Sequence, residues 1–247
     1  QAGMWPAARY RAAMTQPYRL HYAPDNASLI IRLALEEMGQ PYTTVLVNRA
    51  TREHESPAYR ALNPNGLIPV LETPDGPVFE TGAILLWLAD RHGALMPVPH
   101  DPGRAAALKW LFFVSNTLHP ALRMSFYPER YIGSEQAAQA RMRVHMQGEI
   151  IRHLDMLEQA ADDAPALFDG AAPTVIGLYL CPILRWMALY PAGETDWFDL
   201  AQWPRLRAMA LALEDRASTR AAILAEGLGP TPFSAPHLPN PPEGSAT

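Results

Sequence analysis

Apolar and polar positions alternate in short runs before about residue 92 and fall into helical spacing after it. Tyr18 to Tyr22 is a short β-type run, after which Asp25 and Asn26 offer helix caps for an apolar pattern ending at the C-cap Gly39. Tyr42 to Val47, rich in Thr and Val, reads as a second strand, so the unit is βαβ with a right-handed crossover. Ser56-Pro57 caps a short helix. Ile68 to Glu72 and Val78 to Glu80 flank the turn Pro74-Asp75-Gly76-Pro77, which predicts a hairpin, and Thr81 to His92 is a compact helix stopped by Gly93. The predicted order is βαβ-α-ββα.

Pro97, Pro99 and Pro102 crowd the segment Ala94 to Gly103, as suits a connector. Helices then follow at roughly 103 to 126, 134 to 163, 174 to 190, 204 to 216 and 218 to 227, with no internal repeat. The fold class is α/β plus all-α: one domain over residues 17–93 and an all-helical domain over 102–228. Residues 1–16 and 229–247 read as flexible extensions; Met14 could serve as a natural start, and six prolines lie between Pro230 and Pro242.

Composition narrows the function. Twenty Lys+Arg against 25 Asp+Glu give a net charge of −5, and 49% hydrophobic residues is ordinary for a globular chain. A mildly acidic surface without a basic cluster argues against nucleic acid as a partner. The lone Cys181 cannot form an internal disulfide, a CxxC pair or a Cys-rich metal site, so no metal is expected and a cytoplasmic location is the default. The longest apolar stretch, Val175 to Leu184, is broken by Pro182 and stopped by Arg185, too short to span a bilayer.

Two local motifs carry candidate chemistry. In Asn63-Pro64-Asn65-Gly66-Leu67-Ile68-Pro69-Val70-Leu71 a turn delivers a proline to the first residue of a strand. Pro69 is either an edge-strand proline or follows a cis bond that would aim the Ile68 backbone N–H and C=O at a ligand. In Glu80-Thr81-Gly82, a strand-to-helix junction, the free N–H groups of a first helical turn could take a carboxylate and Glu80 an ammonium. The alternative is that Thr81 only caps the helix.

Taken together, these motifs and the helical second half resemble the cytosolic glutathione transferase family, as a bacterial member that is beta-like or unclassified, over about Pro17 to Leu228. The resemblance implies a thioredoxin-like first domain that binds glutathione as co-substrate, a helical domain that shapes the pocket for a small hydrophobic electrophile, and a homodimer. Ile68 and Pro69 look like the backbone clamp on the cysteinyl part of glutathione, Glu80 and Thr81 like its γ-glutamyl site, and Arg52 like a partner for the glycyl carboxylate. The run Trp110 to His119 is similar to the helix that brings a histidine near glutathione, which makes His119 a candidate and Trp110 and Phe113 candidate walls.

A transferase needs a thiolate, yet a free thiol of pKa ~8.5 is only a few per cent ionised at neutral pH. Tyr22-Ala23-Pro24-Asp25-Asn26-Ala27-Ser28 is the place to look for its stabilising donors. The position often held by Ser or Cys aligns with Asp25, which reads instead as a helix cap, and the beta-class cysteine falls at Ala27, disfavouring mixed-disulfide chemistry. Asn26 and Ser28 are the preferred donors, with Tyr22 behind them. Leu67 replaces a polar residue, and Gly177 the Asp of a capping box begun by Thr174. Cys181 reads as a buried inert thiol. A non-catalytic module binding glutathione or apolar ligands and a glutathione-dependent peroxidase are the competing readings. Isomerisation lacks the zeta-type Ser-Ser-Cys run.

Overall fold

The computed structural model describes residues 17–240. Strand β1 (Tyr18–Tyr22) lies at the centre of a four-stranded sheet, parallel to β2 (Tyr42–Leu46) and antiparallel to β3 (Val70–Thr73), which pairs in turn with β4 (Gly76–Phe79). The order is β2-β1-β3-β4. Leu20 pairs with Leu71 across β1 and β3, so two fully buried apolar side chains meet at the middle of the sheet.

Helix α1 (Ser28–Glu37) connects β1 to β2, and every residue from Ser28 to Leu35 is buried. That exceeds the single buried stripe of an ordinary amphipathic helix, because α1 also packs against two helices of the second domain. A 3-10 turn (Glu53–Glu55) and the short α2 (Pro57–Arg60) follow, with Ser56 accepting a hydrogen bond from the Tyr59 N–H at 3.2 Å. Helix α3 (Thr81–His92) ends at Gly93 in the left-handed conformation, φ 62°.

The second domain is helical throughout: α4 (Arg104–Phe113), a π-helical turn (Val114–Leu118), α5 (His119–Phe126), α6 (Glu129–Ile132), α7 (Gln136–Asp163), α8 (Val175–Leu189), α9 (Pro204–Glu214) and α10 (Ala217–Glu226). Helix α8 is the axis of this domain, buried on all sides from Val175 to Met187. Cys181 sits there, fully buried, and its burial pushes the thiol far above its ordinary range, as an inert cysteine requires. Gly177 lies where a Cβ would stand 3.4 Å from Met209 Sδ, so α8 and α9 approach closely at the position that departs from the capping box. Thr174 caps α8 by accepting from the Ile176 N–H. Among the described residues no helix is long and apolar enough to cross a membrane.

The segment after residue 228 departs from the sequence expectation. Residues 229–240 pack back on the helical domain: Phe233 is 1% exposed, Glu214 accepts from the Phe233 and Ser234 N–H groups at 2.7 Å each, and the Asn240 N–H reaches the Gly227 carbonyl. Proline spacing suggested a loose tail because proline removes ladder and helix donors. Glu214 at the end of α9 and Arg185 of α8 satisfy this chain without any regular secondary structure. The expected extensions at 1–16 and 241–247 lie outside the described residues.

Candidate active site

A cleft of about 750 Å³ opens between the sheet domain and the helices. Its sheet-side wall begins at the β3 approach. Gly66 has φ +62°, and a Cβ there would stand 2.8 Å from the His54 carbonyl oxygen, so only glycine fits. The next carbonyl, that of Leu67, is held twice, by the Asn63 Nδ2 at 2.8 Å and the Tyr59 hydroxyl at 2.9 Å. Asn63 is 2% exposed and also accepts from the Asn65 N–H. This bracing sets the Ile68-Pro69 peptide, which is cis, at the cleft wall.

At the far edge of the same wall stand Glu80 and Thr81. Glu80 has φ 70° and ψ 112°, an uncommon backbone for a residue with a side chain, and it leads into the first turn of α3. The helix begins at Thr81, so Glu80 occupies the cap position and the first N–H groups of α3 face the cleft without intrahelical acceptors.

The third part of the wall is the loop between β1 and α1. Asp25 does not cap α1; the cap position is Ala27, with no side-chain hydrogen bond. Its carboxylate, fully buried, accepts from Arg185 Nε at 2.8 Å, Arg185 NH2 at 3.0 Å, Trp186 Nε1 at 2.8 Å and the Tyr190 hydroxyl at 2.7 Å. The Asp25 N–H donates to Glu226, which also pairs with Arg32 at 2.7 Å. Burial pushes the Glu226 carboxyl up and the Arg32 guanidinium opposes it. Three donors from α8 and the hydroxyl of Tyr190 just beyond it outcompete a cap, since a buried carboxylate needs charged partners more than a helix N-terminus needs one acceptor. Asp25 therefore fastens the loop to the helical domain, at φ 54°.

Of the three candidate thiol donors, the structure brings one to the cleft. Asn26 lines it, with Nδ2 donating to the Pro24 carbonyl at 2.8 Å and Oδ1 accepting from Arg49 at 3.2 Å. Ser28 is fully buried and its hydroxyl donates to the Ala23 carbonyl at 3.1 Å, away from the cleft. Tyr22 packs beneath Arg32, whose guanidinium carbon lies 4.9 Å from the ring centroid. Both therefore serve packing instead of the site.

Arg52 is also displaced. It is exposed and paired with Glu55 at 2.6 Å, whereas Arg49 and Arg60 line the cleft. On the helical side, Trp110 and Phe113 turn inward, Trp110 against Phe168 and Phe113 against His153, while Phe112 faces the cleft. Sequence spacing held the signal for this: Phe112, Asn116, His119, Arg123, Phe126 and Arg130 recur at helical intervals and all line the cleft.

His119 does line the cleft. Its Nδ1 lies 3.0 Å from the Tyr179 hydroxyl, and the two rings meet edge to face. If Nδ1 accepts from that hydroxyl, a neutral imidazole keeps Nε2–H as its donor. Burial, aided by the Arg123 charge, pushes the His119 pKa down to about 4. A histidine depressed in the fold and near 6.5 when unfolded supports stability fully above 6.5, and that support is lost as pH falls toward 4. The unfolding midpoint should accordingly drop between pH 6.5 and 4, and His119→Asn should flatten this dependence in denaturant titrations.

The fold is a thioredoxin-like domain joined to an all-helical one, with a cleft between them whose sheet-side wall carries a cis-proline turn and a helix N-terminus. Residues 27–91 match the glutathione S-transferase N-terminal domain. The maleylacetoacetate isomerase of Rhizobium meliloti strain 1021 is 32% identical over 193 residues, 76% of this chain and 86% of that protein. Glutathione S-transferase GstA of Escherichia coli O157:H7 is 26% identical over 215 residues, 85% of this chain and 99% of that one. A glutathione transferase from Burkholderia graminis, solved with two glutathione molecules bound per subunit, is 27% identical with a TM-score of 0.71 and covers 90% of this chain and 93% of its own. The chain belongs to the glutathione S-transferase family.

Proposed function

We propose that the protein binds glutathione along the sheet-side wall and lowers the pKa of its thiol for attack on a small electrophile. The observation that carries this is the convergence on one cavity of the Ile68-Pro69 cis peptide, Glu80-Thr81 at the start of α3, and Asn26 at the start of α1. The Ile68 backbone would pair with the cysteinyl backbone, and Glu80 with the α-ammonium. The first turn of α3 would take the α-carboxylate, and Arg49 and Arg60, in place of Arg52, the glycyl carboxylate.

The sulfur then falls near Asn26 and the first turn of α1. Arg49 at the Asn26 oxygen polarises the amide, and the N-terminal end of α1 adds positive potential. His119, as the neutral Nε2–H tautomer, is a third donor. With an aryl halide the thiol proton leaves to solvent, a carbon–sulfur bond forms, and the carbon–halogen bond breaks with the halide taking its electron pair.

A second reading comes from the relatives named maleylacetoacetate isomerase. The same thiolate adding reversibly to a conjugated double bond allows rotation and re-elimination, with no net change in atoms. Both readings need an acidified thiol, so that is the test. Ultraviolet difference absorbance of bound glutathione should show thiolate near neutrality. Asn26→Ala should raise the bound-thiol pKa by about 1 unit, or ~1.4 kcal/mol. Saturation with no thiolate signal leaves only a binding module.

A further inference from the structure

The helical wall of the cleft holds charges outside the set proposed for glutathione. Arg123 on α5 and Arg130 on α6 both line the cavity, and among the described residues neither has a carboxylate partner. Two of the carboxylates on the same cavity are already engaged, Asp25 enclosed by Arg185 and Trp186 of α8 and Glu55 paired with Arg52, and the third, Glu80, is the one the proposed glutathione site assigns to the α-ammonium. Two uncompensated guanidinium groups in the cleft of a chain with net charge −5 are a local reversal of sign. Their setting is apolar and aromatic. Phe112 and Phe126 share the wall, and the Arg130 guanidinium carbon lies 5.2 Å from the centre of the Tyr127 ring.

We propose that the second substrate is an organic anion, a small electrophile with a flat apolar body and a carboxylate that Arg123 and Arg130 receive. Arg123 is half-buried, and a partly desolvated cation without a partner carries a cost that a ligand carboxylate offsets through charge-assisted hydrogen bonds in which the guanidinium donates; Arg130, exposed at the rim, adds a second donor. A neutral electrophile of the same shape fills the aromatic wall and leaves both cations unmatched. The positive rim also draws anions into the cleft from solution, an effect that salt weakens.

The proposal rests on the reading of the opposite wall as a glutathione site, and binding and turnover separate the two. Protein saturated with glutathione is titrated calorimetrically with 3,5-dinitrobenzoate, which lacks a halide leaving group, and with its methyl ester. The carboxylate should bind at least ~10-fold more tightly than the ester. That preference should shrink with added salt and fall to near unity in R123Q/R130Q. Because Arg130 is exposed, R130Q alone keeps the test readable if the double variant fails to fold, and should show part of the loss.

In turnover, 4-chloro-3,5-dinitrobenzoate should exceed its methyl ester in kcat/KM by a similar factor, after each is divided by its uncatalysed rate with free glutathione. Equal binding of acid and ester overturns the proposal, as does a preference that survives both substitutions. A parallel loss of glutathione affinity in the arginine variants overturns it too, since the cations would then belong to glutathione. Failure of glutathione itself to bind sinks the earlier reading instead.

Discussion

Asp25→Ala should destabilise the protein by about 3–5 kcal/mol, the range found when one partner of a buried ion pair is removed and the other is left without a counter-charge. Arg185 is fully buried, and two of its nitrogens donate to Asp25, so the substitution strands a guanidinium inside the fold. Trp186 and Tyr190 lose their acceptor at the same time. Denaturant titration reads the loss directly. Asp25→Ala with Arg185→Met should recover a substantial part of it, because the pair removed together leaves no unmatched charge. A loss below about 1 kcal/mol for Asp25→Ala would show that the carboxylate is not the anchor described here.

The functional consequence follows from position. Asp25 immediately precedes Asn26, the one candidate donor that reaches the cleft, and its N–H is held by Glu226. Releasing this anchor frees the loop that carries the donor. In a variant stable enough to assay, the pKa of bound glutathione should rise along with the fall in stability, whereas a substitution of equal cost far from the loop should leave it alone.

Truncation after Gly229 should have an effect of the same size. It removes Phe233, 1% exposed, whose burial alone is worth about 3–5 kcal/mol by analogy with Phe→Ala in cores. It also removes the Pro232 and His237 carbonyls, which accept from Arg185 at 3.1 and 2.7 Å, and the Ser234 hydroxyl, which donates to Glu214 at 2.8 Å. At roughly 2–4 °C per kcal/mol for a chain of this size, the thermal midpoint should fall by about 6–20 °C. Phe233→Ala should reproduce part of this and the truncation the rest. A midpoint unchanged by truncation would mean that residues 230–240 lie on the surface without supporting it. Because Arg185 touches both Asp25 and the C-terminal segment, the two predictions share a group and their effects should not add.

Most of the fold and two parts of the candidate cleft wall are legible in the sequence without any tertiary contact. Local interactions control them. The strand runs, Ser56-Pro57, Gly93 and the turn at Pro74 to Pro77 act through backbone propensity within a few residues. The Asn63 to Pro69 motif and Glu80-Thr81 are local too, because a turn or a helix start positions its own neighbours, and the structure puts Ile68, Pro69, Glu80 and Thr81 on one wall.

What the tertiary structure alone decided are the choices between chemically equivalent neighbours. Asp25 and Ser28 both carry oxygen atoms suited to capping or binding. Asp25 is taken by Arg185, 160 residues away, and Ser28 is turned to Ala23 because α1 is enclosed between the sheet and the second domain. Arg49 faces the cleft and Arg52 the solvent through the rotation of one short turn, and a single helical step separates Phe112 from Phe113. Such choices depend on which distant group arrives with an unmatched charge or an unfilled volume. The energy of pairing a buried charge, several kcal/mol, overrides local preferences of about one.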